Sequence, residues 1–465
     1  MTSSGSRGVP PRPSSVRLTR YHAVSPLLRD PDTGDPVRVL FVTRSGEVRY
    51  LSEMVWSALV RRDLATLDTA TLMELVDIEA LVPSNEDELA TMLARSDAAA
   101  ADGSTLYMVV QPTAACQLGC GYCGQEHTAA RMTDLDQRMF AARIRSRLAQ
   151  GSFDQLHIGW FGAEPLLGLS VMRSLTARLR NIVAKGGVGY SSKVVTNGLE
   201  LTGEVARELV ENLGVVFIEV TLDGPAEFHD GRRHWKGGHP SFDRIFDNLC
   251  AVDALDLDVQ LSVRSNVDRS NAEGVEELMR LLADAGLADR VRFYLAPVHS
   301  WGNDAHLRSF SGYEFSQLEA SWLARQIELG FTPSLLPGLK PVVCMATTPH
   351  SELVDAFGNL FNCTEVSYVP SYGVPNEWQI GHVATAEVAG SRARLGDWNR
   401  VIEQGEVPCK SCRMLPVCGG SCPKQWLEGM EPCPPAKYNI AERLVLAYAQ
   451  EKGLLQRRIP DDVRA

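Results

Sequence analysis

Between Thr105 and Pro297 the sequence holds six short apolar runs separated by longer stretches, several of them amphipathic. The apolar runs are "LYMVV", "QLHIGWF", "SSKVVTN", "VVFIEVTL", "DVQLSVRSN" and "VRFYLAP". They are rich in Val, Ile, Leu and aromatic residues and too short for helices, so they are predicted strands. Stretches between them, such as "DQRMFAARIRSRLAQ", "SVMRSLTARLRNIVA", "GEVARELVENL" and "AEGVEELMRLLADAG", are predicted helices. Strands joined through helices pair in parallel, because each crossover returns the chain to the same end of the sheet. Six units are too few to close an eightfold barrel. The predicted fold is therefore α/β, a partial (β/α)6 TIM-like barrel over 101–334, with its reactive loops at the carboxyl ends of the strands.

The flanks read differently. Residues 1–17 are rich in Ser, Pro, Gly and Arg and are a predicted disordered lead-in. From 18 to 100, "VRVLFVTRSGEVRYLS" has the pattern of a hairpin turning at Ser45-Gly46, and three helical stretches follow. That is a predicted winged-helix-like module. From 335 to 440 the pattern decays into Cys, Gly and Pro with short strands, and a C-terminal helix and tail occupy 441–465. A net charge of −11 argues against a broad nucleic-acid footprint. No run is long and apolar enough for a membrane span. Neither a nucleic acid nor a membrane is an expected partner, and the expected compartment is the cytoplasm.

Of eleven cysteines, three lie at 116–123, seven between Cys344 and Cys433, and Cys250 stands alone in an amphipathic helical stretch. Clustered thiols in a cytosolic chain more often bind metal than form disulfides. "CQLGCGYCGQ" directly follows the first strand, which sets Cys116, Cys120 and Cys123 at the reactive end of the sheet. A zinc site wants four ligands, and His127 would supply the fourth. An iron–sulfur cluster on three thiolates leaves one iron open for another ligand.

The C-x3-C-x-aromatic-C arrangement of Cys116, Cys120, Tyr122 and Cys123 resembles the motif of the radical S-adenosylmethionine (SAM) enzymes. The resemblance continues after each strand: "GWFGAEP" is similar to the family's GGEP, "VTNG" follows the third strand, and "TLDGPAEFHDGRR" resembles SxDGPxxxHDxxR. It implies a [4Fe-4S] cluster on the three thiolates whose open iron binds the amino and carboxylate groups of SAM. It also implies reductive cleavage of SAM to a 5′-deoxyadenosyl radical that abstracts hydrogen from a substrate. By the same resemblance Gly162 and Glu164 meet the SAM amino group, Asn197 the ribose, and Thr221 and Arg233 the carboxylate, while Tyr122 lies near the adenine with Leu295 or Ala296 packing on it. Ala163 stands where the family has a second glycine.

The later cysteines resemble the SPASM auxiliary-cluster extension: Cys344, then the Gly-x4-Cys run ending at Cys363, then Cys409, Cys412, Cys418, Cys422 and Cys433. The resemblance implies two auxiliary iron–sulfur clusters, with [4Fe-4S] the expected type. The outer one would sit on Cys409, Cys412, Cys418 and Cys433, and the inner one on Cys344, Cys363 and Cys422. The inner cluster would then have an open iron, a non-cysteine ligand, or only two irons. A zinc ribbon would account for "CKSC" and "CGGSC" but not for the upstream Gly-x4-Cys.

Enzymes with this extension include peptide maturases, sulfatase maturases and quinone-cofactor makers. The N-terminal module resembles leader-peptide recognition modules, which add a strand to a sheet edge. The expected function is oxidative modification, a cross-link, of a ribosomally made precursor peptide, with flavodoxin or ferredoxin as electron donor. Formylglycine formation on a sulfatase and dehydrogenation of a small molecule are the alternatives, beside a non-catalytic iron–sulfur or zinc scaffold. No catalytic base stands out. Asp223, Glu365 and His299 are expected near the mouth; where sulfatase maturases carry an Asp just after the cysteine of Gly-x4-Cys, this sequence has Thr364, with Glu365 next as its substitute, which weakens the sulfatase alternative.

Overall fold

The computed structural model describes residues 12–385 and 393–455. They form two compact units, one from residues 100–333 and 344–397, the other from residues up to 99 with 334–343 and 398–455.

In the first unit the six expected strands are β1 Thr105–Val110, β2 Gln155–Trp160, β3 Gly189–Thr196, β4 Val215–Thr221, β5 Gln260–Val267 and β6 Val291–Pro297. They lie side by side in chain order and all pair in parallel. A helix follows each: α1 Asp134–Gln150, α2 Leu169–Gly186, α3 Gly203–Glu211, α4 Phe242–Asp253, α5 Val275–Asp284 and α6 Gly312–Glu328. This is the partial (β/α)6 barrel. Helix starts are fixed by side-chain caps: Thr133 and Thr202 accept from Asp136 N and Val205 N, and Ser311 forms a capping box with Glu314.

Strand alternation sorts the side chains. Leu106, Met108, Val110, Ile158, Val194, Ile218, Val263 and Phe293 pack with the helices in one large core. The alternate residues face the lumen, and many are polar: Tyr107, His157, Ser191, Lys193, Glu219, Arg264 and Tyr294. His157 stacks on Tyr107, the Lys193 ammonium lies 4.8 Å from the Tyr107 ring centre, and Tyr294 donates to Glu219 Oε2 at 2.8 Å. Cys250, on α4, packs half-buried against the helix-side core.

The sheet does not stop at β1. β7 Ser351–Val354 adds in parallel to its free edge, and β8 Asn359–Phe361 and β9 Gly381–His382 continue antiparallel. β7 is only four residues long and buried throughout, including Glu352. Arg143 Nε and Nη2 reach that carboxylate at 2.7 and 2.8 Å, so the buried charge is paired.

In the second unit, strands His22–Val24, Leu28–Arg29, Pro36–Val42 and Glu47–Ser52 form one antiparallel sheet. Helices Glu53–Arg61 and Thr69–Asp77 follow it. The C-terminal helix Ile440–Glu451 packs on the sheet: Ile440, Leu444 and Tyr448 share a core with Ala23, Val39, Phe41, Met414 and Val417. Of the expected disordered lead-in, residues 1–11 lie outside the described residues. Pro13–Ser15 forms a 3-10 turn and Val16–Leu18 pairs with Leu81–Pro83, so the ordered chain begins before residue 18. Of the expected C-terminal tail, residues 456–465 lie outside the described residues.

Candidate active site

The loop carrying Cys116, Cys120 and Cys123 leaves the carboxyl end of β1 and is stitched to the segment after β4. Gly119 N donates to His234 O at 2.9 Å, Gly121 N to Arg232 O at 3.0 Å, and Lys236 N to Gln117 O at 2.9 Å. This pairing explains why the "HDGRR" run comes to lie beside the thiols. On its other side Glu126 N donates to Tyr368 O at 2.7 Å. At Gly124 a Cβ would fall 1.9 Å from the Trp301 carbonyl oxygen, so no other residue fits there without a shift.

A cavity of about 260 Å³ opens over this loop, the size of a small ligand site rather than of a trapped water. Cys116, Cys120, Cys123, Tyr122, Gly162, Asn197, Thr221 and Arg233 all border it. The sequence placed these residues on four separate segments, and the fold brings them to one rim. Two of the expected contact residues do not border the cavity. Leu295 shares the helix-facing side of β6 with Val291 and Phe293 and packs on that core, because successive strand residues point to opposite faces. Pro297 and Val298 form the cavity wall there instead. Glu164 is fully buried beneath the wall. Its carboxylate accepts from Leu166 N at 2.9 Å, Thr196 Oγ1 at 2.7 Å and Asn197 N at 2.7 Å. Burial pushes its carboxyl above the usual carboxylate range, and these three donors hold back only part of the rise.

Gly162 and Ala163 both have positive φ, 81° and 49°. A side chain at Gly162 would strike Gln111, with a Cβ 2.1 Å from Nε2. At Ala163 the methyl is carried in a left-handed conformation, which disfavours alanine by about 1–2 kcal/mol. Its backbone N–H is spent on Gln125 Oε1 at 3.1 Å. Ala163→Gly is therefore expected to raise the thermal midpoint by about 1–3 °C, part of the relief being offset by the looser unfolded chain. Calorimetry showing a lower midpoint would mean that the methyl packs productively.

A polar network underlies the rim. Arg233 Nη1 donates to the Tyr122 hydroxyl at 2.6 Å and Asn266 Nδ2 to the same oxygen at 3.1 Å. That hydroxyl donates to Asp223 Oδ2 at 2.6 Å, and Asn266 N donates to Asp223 Oδ1 at 2.8 Å. Asp223, expected at the mouth, is thus fully buried with both oxygens engaged, and it positions Tyr122 and Arg233. His229 is held neutral by burial and by the nearby Arg233 and Arg232. Its Nδ1 accepts from Asp223 N at 3.1 Å, and its Nε2 lies 3.1 Å from Ser241 Oγ. Arg233 is only 6% exposed, yet its Nε has no hydrogen-bond partner. A buried guanidinium with a spare donor beside three thiols suits an anionic group such as a carboxylate. Asn197 turns its amide to the thiol loop, donating to Gln117 Oε1 at 3.2 Å.

Burial pushes the Cys116 thiol up to about 12 and the Cys120 thiol up to about 11. Such thiols are neutral at pH 7 unless a cation draws the proton off. His127 borders the same cavity, its pKa pushed down to about 4 chiefly by burial, then by Lys236. Among the described residues, no three His, Cys, Asp or Glu side chains form a group that could hold one metal ion. The thiols surround a cavity instead, an arrangement suited to a cluster of several atoms.

Several cavity residues carried no usable signal in the sequence. Arg264 and Asn266 on β5 are lumen-facing by alternation alone, and Gln125 and Trp301 lie in loops. Glu365 also borders the cavity, and Thr364 Oγ1 donates to its Oε1 at 2.8 Å. His299 lines it as well, its pKa pushed down to about 4 by burial and by Arg264. Of the later cysteines, Cys344 and Cys363 belong to the first unit and Cys422 to the second. Cys409, Cys412, Cys418 and Cys433 belong to the second and border one small cavity.

Residues 110–282 match the family model of the Radical SAM superfamily. The chain is 24% identical over 365 residues to the serine-type anaerobic sulfatase-maturating enzyme of Bacteroides thetaiotaomicron, covering 69% of this chain and 83% of that protein. It is 25% identical over 177 residues to the sporulation killing factor maturation protein SkfB of Bacillus subtilis, covering 38% and 39%. The solved structure of native anSMEcpe with bound AdoMet and Cp18Cys peptide superposes with a TM-score of 0.54 at 15% identity, over 76% of this chain and 98% of that one, a likeness of fold.

Proposed function

From the premise that this chain is a radical SAM protein, using SAM and a [4Fe-4S] cluster, we propose that it is a maturase that oxidatively cross-links a ribosomally made precursor peptide. The observation that carries this reading is the cavity itself, where three thiols, a buried guanidinium with a spare donor and a carboxylate, Glu365, border one space. The names of both relatives speak of maturation of another protein or factor, which favours a polypeptide substrate. When bound, SAM and the clusters supply a hydrogen-abstracting radical and an outlet for the electron left on the substrate.

The residues of the chain do the rest. Cys116, Cys120 and Cys123 hold the cluster, Thr221 and Arg233 hold the SAM carboxylate, and Asp223 fixes Arg233 through the Tyr122 hydroxyl. Forming a new bond within a peptide removes two hydrogens, one as an atom and one as a proton with an electron. Glu365 is the acceptor for that proton. Phe161, Val298, Trp301 and Val369 wall the cavity and shed water from it. Cys344, Cys363, Cys409, Cys412, Cys418, Cys422 and Cys433 hold the auxiliary clusters.

The test is anaerobic reconstitution, then incubation with SAM, dithionite and short peptides encoded beside the gene, read by mass spectrometry. Expected is a peptide lighter by two hydrogens that does not react with a hydrazide. Glu365→Gln is expected to keep SAM cleavage while lowering modified product by about 10²–10⁴-fold, the usual worth of a general base. Undiminished product in that variant would remove Glu365 from the mechanism. A second reading, formylglycine formation on a sulfatase, is favoured by the extent of the Bacteroides match. It predicts a product that the hydrazide captures.

A further inference from the structure

Among the four thiols proposed to hold the outer cluster, Cys433 has an unusual neighbourhood. Sulfur ligands of this kind can take a hydrogen bond from the backbone N–H two residues on: Met414 N lies 3.4 Å from Cys412 Sγ and donates to it. After Cys433 the sequence reads Pro434-Pro435, and neither proline has an N–H to give. The prolines instead open a 3-10 turn, Pro435–Lys437, closed by Lys437 N donating to Pro434 O at 2.9 Å. That turn brings the Lys437 side chain back over the thiol, and its ammonium donates to Cys433 Sγ at 3.1 Å. Lys437 borders the same small cavity as all four thiols.

We infer that Lys437 raises the reduction potential of the iron–sulfur cluster held by Cys409, Cys412, Cys418 and Cys433, acting through its hydrogen bond to Cys433. The inference rests on the proposal that this tetrad holds a cluster. A donor to a ligating sulfur draws charge from the cluster, and a fixed positive charge nearby favours the more negative, reduced state. A backbone N–H supplies a partial dipole at Cys412, whereas Cys433 receives a full charge. The Lys437 side chain is only 28% exposed, which limits screening by solvent and salt. The other charged groups at the site are Glu431, whose Oε1 accepts from Lys437 at 3.2 Å, and Lys340, which acts on Cys418. Tyr438 donates to Glu431 Oε1 at 2.8 Å, so the carboxylate that opposes the ammonium is itself held in place.

The bland alternative is a surface ion pair between Lys437 and Glu431 with no hold on the cluster. A redox titration followed by EPR separates the two. It is run on the full chain carrying Cys116→Ala, Cys120→Ala and Cys123→Ala, with the outer signal identified as the component lost on Cys433→Ser. Lys437→Met and Lys437→Gln are expected to move that midpoint to more negative potential by more than the reproducibility of the titration. Glu431→Gln, which removes the opposing charge, is expected to move it to more positive potential. Iron and sulfide contents confirm that each variant keeps its cluster; should Lys437→Met lose it, Lys437→Gln and Glu431→Gln decide. An unmoved midpoint in the Lys437 variants, or a shift of the same sign on both sides of the pair, overturns the inference. If no component depends on Cys433, the tetrad holds no cluster and the proposal beneath falls with it.

Discussion

Alanine at Cys116, Cys120 and Cys123 together is expected to abolish 5′-deoxyadenosine formation from SAM, a loss of about 10³-fold or more, because it removes the reacting machinery and not one contact. The fold is expected to survive. These residues lie in a loop, Cys123 is exposed, and Cys116 and Cys120 touch only the edge of the core with small side chains whose sulfurs are buried, so truncation costs little packing. The loop backbone is tied by its own bonds to His234, Arg232 and Tyr368. The same thiols give a pH sign. Burial holds Cys116 and Cys120 protonated in the apo-protein, so cluster assembly must release protons. Reconstitution is therefore expected to become more favourable as pH rises from about 7 to 8.5, the direction in which thiolates become easier to form. Iron uptake measured against pH, together with an assay for 5′-deoxyadenosine, checks both. Retained SAM cleavage in the triple variant would overturn the assignment of these thiols.

The second large effect concerns stability. Cys412 and Cys418 pack with Val37 and Val48 against the core shared by Ala23, Val39, Phe41, Met414 and Val417. Thr43 Oγ1 donates to Arg413 O at 2.6 Å, and Arg20 Nη2 to Lys410 O at 3.0 Å. The thiol loop is thus part of the floor on which the N-terminal sheet rests. Its own structure is short turns, Pro408–Ser411 and Leu415–Cys418, with little to fix them locally. Burial pushes the Cys409 thiol up to about 12 and the Cys418 thiol up to about 11, so without metal these are ordinary buried thiols with no cross-link between them. If the tetrad holds the proposed cluster, the binding energy of that cluster contributes directly to folding. Cys409→Ala with Cys412→Ala is therefore expected to destabilise this unit by about 3–4 kcal/mol, raising hydrogen exchange in strands Pro36–Val42 and Glu47–Ser52 by about 10²–10³-fold. Exchange in β2–β5 of the first unit should not change. Equal protection of the N-terminal strands with and without the tetrad would contradict this.

The barrel was legible because its signals are local. Each strand is a short apolar run, each helix an amphipathic one, and the motifs after β1 to β4 land on one cavity because parallel strands end at one face. Leu295 packs on the helix-side core for a local reason too, since alternation along β6 decides which of Leu295 and Ala296 takes that face. β7 left no mark, because four buried residues show no periodicity and their pairing with β1 spans more than 240 residues. That residues up to 99 share a unit with 398–455 is equally non-local, and no pattern along the chain encodes it. Glu365 stood out only as an acidic residue near a cysteine. Its place on the cavity rim comes from the chain's return alongside the thiol loop, where Gln125 Nε2 donates to Ser367 O at 3.3 Å and Glu126 N to Tyr368 O at 2.7 Å. Asp223, which looked equivalent in sequence, is sealed beneath Tyr122.

The central claim is that the cluster at Cys116, Cys120 and Cys123 has an iron free to bind SAM. EPR of the anaerobically rebuilt, dithionite-reduced protein, recorded with and without SAM, tests it most directly. The account predicts that SAM shifts the g-values of one cluster signal, and that this signal is missing when the three cysteines are alanine. A protein that binds zinc alone, or a cluster spectrum that SAM leaves unaltered, would contradict it.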